Sequence, residues 1–298
     1  MQYSVISIVT PSFNQGRFIE ETILSVITQQ GNFYIDYIIM DGKSTDNTSD
    51  ILLKYENIIK TNPETKHIQG LDFHLPTDHS LIKCLGVSYR WFSEKDDGQA
   101  HAINKGLQLA IGDILCWLNS DDTYYSNCLR NVLEAPWATS DFVYGKGMWV
   151  DISGNDLLLY PTFKPTIYSL FYKCTLCQPA VFWKRKVYEE LGELREDLLL
   201  SLDYEYWQRA VKNKLTFQST KHLLATSRMY PENKTLAAEK NNTPTEGSSL
   251  KQFYYKNIKL NVFKRLFTEF FVDRFSNLAE WKLRKKLIKI YSSPSIIS

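Results

Sequence analysis

Two adjacent aspartates, Asp121 and Asp122, end a short polar segment that follows an apolar run at residues 114–118. Asn119 and Ser120 separate the run from the aspartates. Aspartates are poor strand residues, and two like charges this close repel each other unless a cation joins them. Carboxylate oxygens suit Mg²⁺ or Mn²⁺, which bind phosphates together with one or two protein carboxylates. The segment therefore predicts a cation site for a phosphorylated ligand, and its alternative is a solvated turn with a helix cap.

The elements around these aspartates alternate between strand and helix patterns. Apolar runs predict strands, and apolar residues at helical spacing predict helices. The predicted order is strand 5–10, helix 17–29, strand 34–40, helix 45–55, helix 98–110 and strand 114–118. Ser44 or Asp46 is placed to cap the second helix. This alternation predicts an α/β fold with a mainly parallel sheet flanked by helices, whose ligands collect at the carboxyl ends of the strands.

The rest of the chain is less regular. Residues 61–90 contain Pro63, Gly70 and Pro76, which interrupt any period, so we expect a surface insertion or an irregular connection there. The further predictions are strands at 141–144 and 180–183, a helix at 204–212, a loop or linker at 230–249, and a helix over 251–290.

The composition is that of an ordinary globular protein. Of 298 residues, 44% are hydrophobic and 23% are charged, and the chain is long enough to bury a substantial core. There is neither a charged leader nor the roughly 18-residue apolar run of a transmembrane helix, so we expect a cytoplasmic protein. The five cysteines are expected to be reduced, and Cys174 and Cys177 lack further ligands at zinc-site spacing.

Basic residues are concentrated late in the sequence. Between Lys251 and Lys289 there are 11 basic and 3 acidic residues, whereas the remainder has 24 basic and 30 acidic residues. This segment is predicted to be a basic amphipathic helix. Either it lies on an anionic membrane, at the inner face of the cell membrane, or it packs on the body or on the second subunit of a homodimer. An acidic body without a recognised reader motif argues against nucleic-acid binding.

Five segments follow one another in an order and at a spacing typical of one family. They are residues 7–14 (SIVTPSFN), 37–48 (YIIMDGKSTDNT), 93–99 (SEKDDGQ), 102–106 (AINKG) and 112–122 (GDILCWLNSDD). Over roughly residues 4–235 the chain resembles family 2 glycosyltransferases with the GT-A fold. The resemblance implies a GT-A domain over 1–228, with a nucleotide-binding half at about 1–122 and an acceptor half at about 123–228. A loop and the basic helical tail would follow at 229–298.

The resemblance implies a site for a nucleoside-diphosphate sugar. The implied donor-binding residues are Thr10, Pro11, Ser12, Asn14, Asp41, Asp97, Asn104, Lys105, Asn119, Ser120, Arg228 and Lys234. Asp41 would contact the base or the ribose, or else it is an Asx-type turn residue. Lys105 would face the diphosphate, or else it is an ordinary lysine of a helix surface. Uracil is favoured as the base by analogy alone, and thymidine and guanosine donors stay open.

The acidic cluster matches the family's DxD motif with one change. Asp121 matches the last aspartate, the one most directly on the metal, whereas Asn119 replaces the first aspartate and removes one negative charge. The resemblance thus implies Mn²⁺ or Mg²⁺ held chiefly by Asp121, with Asp122 supplying a second oxygen or organising the loop.

A general base for an acceptor hydroxyl is implied at Asp203. The family has a Glu-Asp pair at the start of a late helix, and here Leu202 replaces the glutamate. Asp203 is otherwise an N-cap, in which case Glu205 is the second choice for the base. Gln178 and Glu205 are assigned to the acceptor side. The family's late Arg-x-His segment is Arg228-Met-Tyr230 here, so the histidine that would reach the metal is absent.

Three functions stay open on the sequence. The first is inverting sugar transfer to a hydroxyl of a glycan or lipid-linked acceptor, in bacterial surface polysaccharide synthesis. The second is a sugar-phosphate nucleotidyltransferase, although residues 11–16 lack the Gly-rich, Arg-containing loop that this chemistry expects. The third is an inactive nucleotide-sugar sensor, which Asn119, Leu202 and Tyr230 keep open because each departs from the family's pattern.

Overall fold

The computed structural model describes residues 4–61, 63–241, 243, 246–255 and 262–291. Within these ranges ten strands form one sheet, in the order β10-β7-β9-β6-β1-β2-β5-β4-β3 with β8 paired to β7. The strands are β1 Val5–Ser12, β2 Gln30–Asp41, β3 Thr65–Ile68, β4 Leu71–His74, β5 Lys83–Ser93, β6 Ile114–Trp117, β7 Phe142–Val150, β8 Asp156–Leu159, β9 Val181–Lys184 and β10 Phe217–Arg228.

Helices cover the sheet and extend beyond it. They are α1 Ile19–Ile27, α2 Thr48–Lys60, α3 Gln99–Leu109, α4 Cys128–Leu133, α5 Ser169–Tyr172, α6 Arg185–Leu191, α7 Leu202–Lys212, α8 Lys234–Lys240, α9 Gly247–Tyr255 and α10 Val262–Tyr291. In the part of the chain that is described, none of the helices combines the length and apolarity needed to span a membrane.

The α/β class with a central sheet flanked by helices is confirmed. Strands β6, β1, β2 and β5 lie side by side in that order and run parallel to one another, as the strand–helix alternation predicts. Beyond β6 the sheet is mixed, because β9 is antiparallel to both β6 and β7, whereas β10 is parallel to β7. One sheet therefore runs through both predicted halves, and a boundary near residue 122 stays a prediction.

The prediction of a surface insertion or an irregular connection at 61–90 is wrong where β3, β4 and β5 lie. β5 pairs in parallel with β2 along most of its length, and β3 and β4 form a hairpin beside it. Polar residues within β5 interrupt the apolar pattern that would predict a strand. Arg90 forms an ion pair of 2.6 Å with the fully buried Asp36 of β2, so the positive charge of Arg90 is paired with a residue of the neighbouring strand.

The later part of the chain also differs from the prediction. β8 and β10 were not predicted, and the segment 230–249, expected to be a loop, contains α8 and the beginning of α9. The predicted tail helix corresponds to α9 and α10, and its residues 256–261 lie outside the described residues.

Close packing joins the end of β6 to α7. Trp117, the last residue of β6, stacks on Trp207 of α7 with ring centroids 5.8 Å apart and planes 10° apart. On the other side of the sheet centre, α3 lies so close to β1 that a Cβ added to Gly106 would be 2.3 Å from Cγ1 of Val9. The Trp117–Trp207 contact therefore joins α7 to the end of β6, which leads directly into residues 119–122.

Candidate active site

A cleft of about 690 Å³ opens at the carboxyl ends of β1 and β6. Nine of the predicted site residues line it: Pro11, Ser12, Asn119, Ser120, Asp121, Asp122, Gln178, Asp203 and Lys234. Eight others do not belong to its lining: Thr10, Asn14, Asp41, Asp97, Asn104, Lys105, Glu205 and Arg228. The cleft therefore brings the acidic cluster and Asp203 together although more than eighty residues separate them in sequence.

Asp122 organises residues 119–122, which we call the acidic loop. Its Oδ1 accepts a hydrogen bond of 2.9 Å from the backbone N–H of Arg228, and its Oδ2 accepts one of 3.2 Å from the amide of Asn119. The hydroxyl of Thr22 donates to the carbonyls of Ser120 and Asp122 from the other side. Burial raises the pKa of the Asp122 carboxyl well above its usual range, and the charge of Asp121 raises it further.

Asp121 has a tyrosine as its partner. The hydroxyl of Tyr230 donates a hydrogen bond of 3.0 Å to its Oδ2, and the Tyr230 ring packs against Phe18 with centroids 4.9 Å apart. Burial raises the pKa of Asp121, and the Tyr230 hydrogen bond acts in the opposite direction. Tyr230 thus lies at the acidic cluster, at the position where the resemblance led us to expect a histidine.

Arg228 supports the acidic loop from within the protein. It is buried, and its Nε donates to the carbonyl of Asp121 at 2.8 Å. Its Nη1 donates to the carbonyl of Ile152 at 2.8 Å, and its Nη2 forms an ion pair of 2.5 Å with Glu21. Direct contact of Arg228 with a donor stays a prediction, whereas its contacts within the protein hold the loop in place.

A chain of hydrogen bonds crosses the cleft. Lys234 Nζ donates to Gln99 Oε1 at 3.0 Å, and Gln99 Nε2 donates to Asn119 Oδ1 at 2.7 Å. The Asn119 amide also donates to Gln178 Oε1 at 3.3 Å, and Gln178 donates to the Trp117 carbonyl at 2.9 Å. The asparagine in the first DxD position therefore links Gln99 and Lys234 to Gln178 through hydrogen bonds.

Gln99 and Asp96 line the cleft but were not singled out from the sequence. Both belong to the segment 93–99, from which Asp97 was chosen. The structure instead leaves the Asp97 side chain exposed beside His101. Spacing alone does not show which of two adjacent aspartates in a loop faces inward.

Asp203 lies in the first turn of α7, where it lines the cleft. Its Oδ1 accepts a hydrogen bond of 2.7 Å from the N–H of Tyr204, and the Cys174 thiol lies 4.0 Å from its Oδ2. Burial raises the pKa of the carboxyl to about 6, while the Tyr204 N–H and the charge of Lys234 partly oppose this. The group is thus a carboxylate at neutral pH with a proton affinity well above that of an ordinary aspartate.

Asp41 and Asn14 tie loops together behind the cleft. Asp41 is buried and accepts hydrogen bonds from the Ser44 N–H at 3.1 Å and the Ser93 hydroxyl at 2.6 Å. Asn14 Oδ1 accepts one from the Thr45 N–H at 2.8 Å. The Asp41 contacts match the turn alternative, and nucleotide contacts of both residues stay predictions.

The remaining predicted residues make contacts within the protein. The Asn104 amide is hydrogen-bonded to the backbone of Leu194, and Lys105 forms an ion pair of 2.5 Å with Glu94. Thr10 is buried with its hydroxyl 3.2 Å from that of Tyr37. Fully buried Glu205 pairs with Arg209 at 2.9 Å and accepts a hydrogen bond from Tyr254 of α9. Their predicted roles toward substrate stay predictions.

Comparison with known families identifies the chain. The profile of Glycosyl transferase family 2 matches residues 7–71 and 77–192, more than half of the sequence. The chain belongs to this family. The resemblance stated from the sequence is thereby confirmed.

Several glycosyltransferases are similar to this chain over part of their length. A putative teichuronic acid biosynthesis glycosyltransferase, TuaG of Bacillus subtilis, is 33% identical over 130 residues, covering 44% of this chain and 41% of that protein. An uncharacterized glycosyltransferase of Rickettsia conorii is 24% identical over 220 residues, covering 69% of this chain and 31% of that protein. The chain thus spans less than half the length of these two relatives. A PGL/p-HBAD biosynthesis glycosyltransferase of Mycobacterium bovis is 24% identical, covering 76% of this chain and 77% of that protein.

Solved structures share the fold. S. aureus TarS 1-349 in complex with UDP-GlcNAc has a TM-score of 0.61 at 16% identity, covering 89% of this chain and 72% of that chain. The mannosyltransferase PcManGT of Pyrobaculum calidifontis, in complex with GDP-Man and Mn²⁺, has a TM-score of 0.58 at 14% identity, covering 98% of this chain and 76% of that chain. Because both structures superpose on most of this chain, the GT-A-type fold is confirmed.

The family implies a divalent cation, and the acidic cluster could supply part of the ligand shell of such a cation. Within the described ranges, no group of three or more His, Cys, Asp or Glu side chains is placed to hold a metal ion alone. Both oxygens of Asp122 already accept hydrogen bonds, which leaves Asp121 as the carboxylate of this adjacent pair that could hold a cation. Mg²⁺-type ions commonly take one or two protein carboxylates and complete their shell with ligand phosphates and water.

Proposed function

We propose that this chain is a metal-dependent, inverting glycosyltransferase that moves a sugar from a nucleoside-diphosphate sugar to an acceptor hydroxyl. The observation that carries the proposal is that Asp121, Lys234 and Asp203 line one cleft. A metal ion held by Asp121 and the Lys234 ammonium would both suit a diphosphate. The Asp203 carboxylate, with its raised pKa, suits removal of a proton from a hydroxyl.

In this proposal Asp203 takes the proton of the acceptor hydroxyl while that oxygen attacks the anomeric carbon. The bond between the anomeric carbon and the diphosphate oxygen breaks on the opposite face, so the configuration inverts. The Lys234 ammonium offsets negative charge on the departing diphosphate, and Gln99 fixes that lysine through its 3.0 Å hydrogen bond. A bound Mn²⁺ or Mg²⁺, held by Asp121, would supply further electrostatic stabilisation of the same charge.

The substrates are proposed from the chemistry of relatives. UDP-GlcNAc and GDP-Man are bound in the two structural neighbours, and a uridine donor is our first choice. The acceptor is proposed to be a hydroxyl of a glycan or a lipid-linked saccharide, since TuaG is named for teichuronic acid biosynthesis. This choice places the reaction in bacterial surface polysaccharide synthesis.

Thermal shift and calorimetry with a panel of nucleotide sugars test the donor site. UDP-GlcNAc, GDP-Man and a thymidine-diphosphate sugar would each be added with and without Mn²⁺. We expect one of them to raise the unfolding temperature with Mn²⁺, and Asp121→Ala to abolish this shift. Asp113→Ala is the matched control, because Asp113 is exposed near the opposite end of β6. An Asp121→Ala protein that binds the donor as well as wild type would contradict the proposed site.

A turnover assay separates the alternative functions. Sugar transfer releases nucleoside diphosphate, whereas a nucleotidyltransferase running toward nucleotide sugar releases pyrophosphate. An inactive sensor binds donor but releases neither product with any acceptor.

A further inference from the structure

Helix α10 has two faces of different character. Its body-facing side chains Val272, Ser276, Leu283 and Leu287 are buried, and the last two pack in a cluster with Trp149 and Met229. On the other side, large apolar and cationic side chains recur at intervals of three, four or seven residues, which place them on one face of the helix. This outer face comprises Phe263, Phe267, Phe270, Arg274, Trp281, Lys285 and Ile288, flanked by Phe271, Phe275, Leu278, Lys282 and Lys289.

The apolar members of the outer face are exposed to an unusual degree. Phe263 is 84% exposed, Phe267 is 66% exposed and Ile288 is 64% exposed. Exposed aromatic side chains gathered on one helix face usually mark an interaction surface. Leu283 and Leu287 already hold α10 on the rest of the protein by packing in the cluster with Trp149 and Met229. The second apolar face is therefore not needed for this attachment.

The described acidic side chains of α10 are distributed unevenly between the two faces. The acidic side chains of α10 whose positions are described, Glu269 and Glu280, face the body, where they pair with Tyr172 and Lys173. The outer face instead carries cations among the aromatic rings. Lys285 Nζ lies 3.8 Å from the ring centroid of Trp281, and the Arg274 guanidinium lies 5.5 Å from that of Phe270. The outer face is therefore apolar and positively charged at the same time.

We infer that the outer face of α10 docks on an anionic lipid bilayer. Apolar side chains on one face of a surface helix enter the boundary between headgroups and acyl chains, and interleaved lysines and arginines contact anionic headgroups. A second copy of this chain fits the surface less well, because a symmetric pairing of outer faces would bring like charges together.

Docking would set the cleft at the membrane surface. Glu280, Leu283, Arg284 and Leu287 of the same helix line the cleft, so α10 forms one of its walls. A bilayer on the outer face would hold this wall at headgroup level. Together with the proposed function, on which this step rests, the position of the cleft at the membrane indicates that the acceptor is a saccharide on a lipid carrier. Its hydroxyl would reach Asp203 from the bilayer surface.

Vesicle flotation of the full chain, without donor or acceptor, tests the docking separately from glycosyl transfer. We expect binding to vesicles of phosphatidylcholine mixed with phosphatidylglycerol, little binding to phosphatidylcholine alone, and a decrease with added salt. Changing Lys282, Lys285 and Lys289 together to Gln should lower the partition coefficient by about 100-fold. The control changes Lys83, Lys214 and Lys221 to Gln, which removes the same charge from exposed positions elsewhere and should leave binding nearly unchanged.

A second variant tests the apolar part of the face. Phe267→Ser with Phe270→Ser should also abolish vesicle binding while the melting temperature stays near that of wild type, because both rings are exposed. Equal binding to neutral and anionic vesicles, or no binding to either, would overturn the inference. So would sedimentation showing a dimer that this double variant dissociates and that does not bind vesicles.

Discussion

The hydroxyl of Tyr230 lies 3.0 Å from Oδ2 of Asp121, so a phenol donates to the carboxylate that is best placed to meet a cation. A hydrogen bond and a metal ion compete for the same carboxylate oxygen. Removing the hydroxyl should therefore make the free energy of cation binding more favourable by about 1 kcal/mol, the net contribution of a typical hydrogen bond.

Tyr230→Phe is expected to bind Mn²⁺ about fivefold more tightly in the presence of UDP, as calorimetric titration would measure. Tyr125→Phe is the control, because the Tyr125 hydroxyl contacts Asp156 outside the acidic cluster. Weaker Mn²⁺ binding by Tyr230→Phe would show that the hydroxyl assists the cation instead of competing with it.

The rate of sugar transfer should depend on the ionisation of Asp203. Burial raises the pKa of this carboxyl to about 6. A base acts in its deprotonated form, so the rate should rise as pH increases through about 6 and then level off, and it should fall tenfold per pH unit well below that value. The pH profile of transfer from the donor found in the binding panel measures this. A profile that stays flat through that region would contradict the assignment of Asp203.

Loss of the Arg228 guanidinium should weaken both the fold and the donor site. Arg228→Met removes the donors to the partly buried carbonyls of Asp121 and Ile152, and each unsatisfied carbonyl costs about 1–3 kcal/mol. Urea unfolding should therefore show a loss of about 3 kcal/mol, and Mn²⁺-dependent donor binding should weaken. Arg195→Met is the control, since its ion pair with Asp197 is exposed and worth less than about 1 kcal/mol. Equal stability of the two variants would show that Arg228 does not support the loop.

The family segment 102–106 ends in a glycine for reasons of packing. A Cβ at Gly106 would lie 2.3 Å from Cγ1 of Val9. Gly106→Ala should destabilise the protein by about 1–3 kcal/mol in urea unfolding, although alanine is the better helix former. Gln108→Ala, at an exposed position of the same helix, is the control. A more stable Gly106→Ala protein would mean that α3 can move away from β1.

The sequence predicted best those elements whose apolar pattern is local. β1, β2, β6 and the helices between them follow the predicted order, because strands buried on both faces have apolar runs that are visible without knowing the fold. β5 was missed because its polar Arg90 is compensated by Asp36 of the neighbouring strand, a partner 54 residues away in sequence. α8 lay in a segment rich in turn-forming residues, among which Asn233 caps the helix by accepting from the Leu236 N–H.

The candidate site was predicted in outline and not in detail. The family resemblance indicated Asp121 and Asp203, which the fold brings into one cleft. It did not indicate that Gln99 joins Lys234 to Asn119, or that Tyr230 contacts Asp121. These contacts depend on side-chain directions across loops, which motif spacing does not specify. Arg228 illustrates the same limit, because its backbone and side chain both reach the acidic loop from the protein side.

Nucleoside diphosphate release, measured with the donor from the binding panel and Mn²⁺, tests the central claim most directly. The comparison is between wild type, Asp203→Asn and the exposed control Asp50→Asn, each with donor binding checked by calorimetry. We predict that Asp203→Asn binds donor like wild type but releases nucleoside diphosphate at least about 100-fold more slowly, while Asp50→Asn is unaffected. Undiminished release by Asp203→Asn, or pyrophosphate as the product of the wild type, would contradict inverting glycosyl transfer at this cleft.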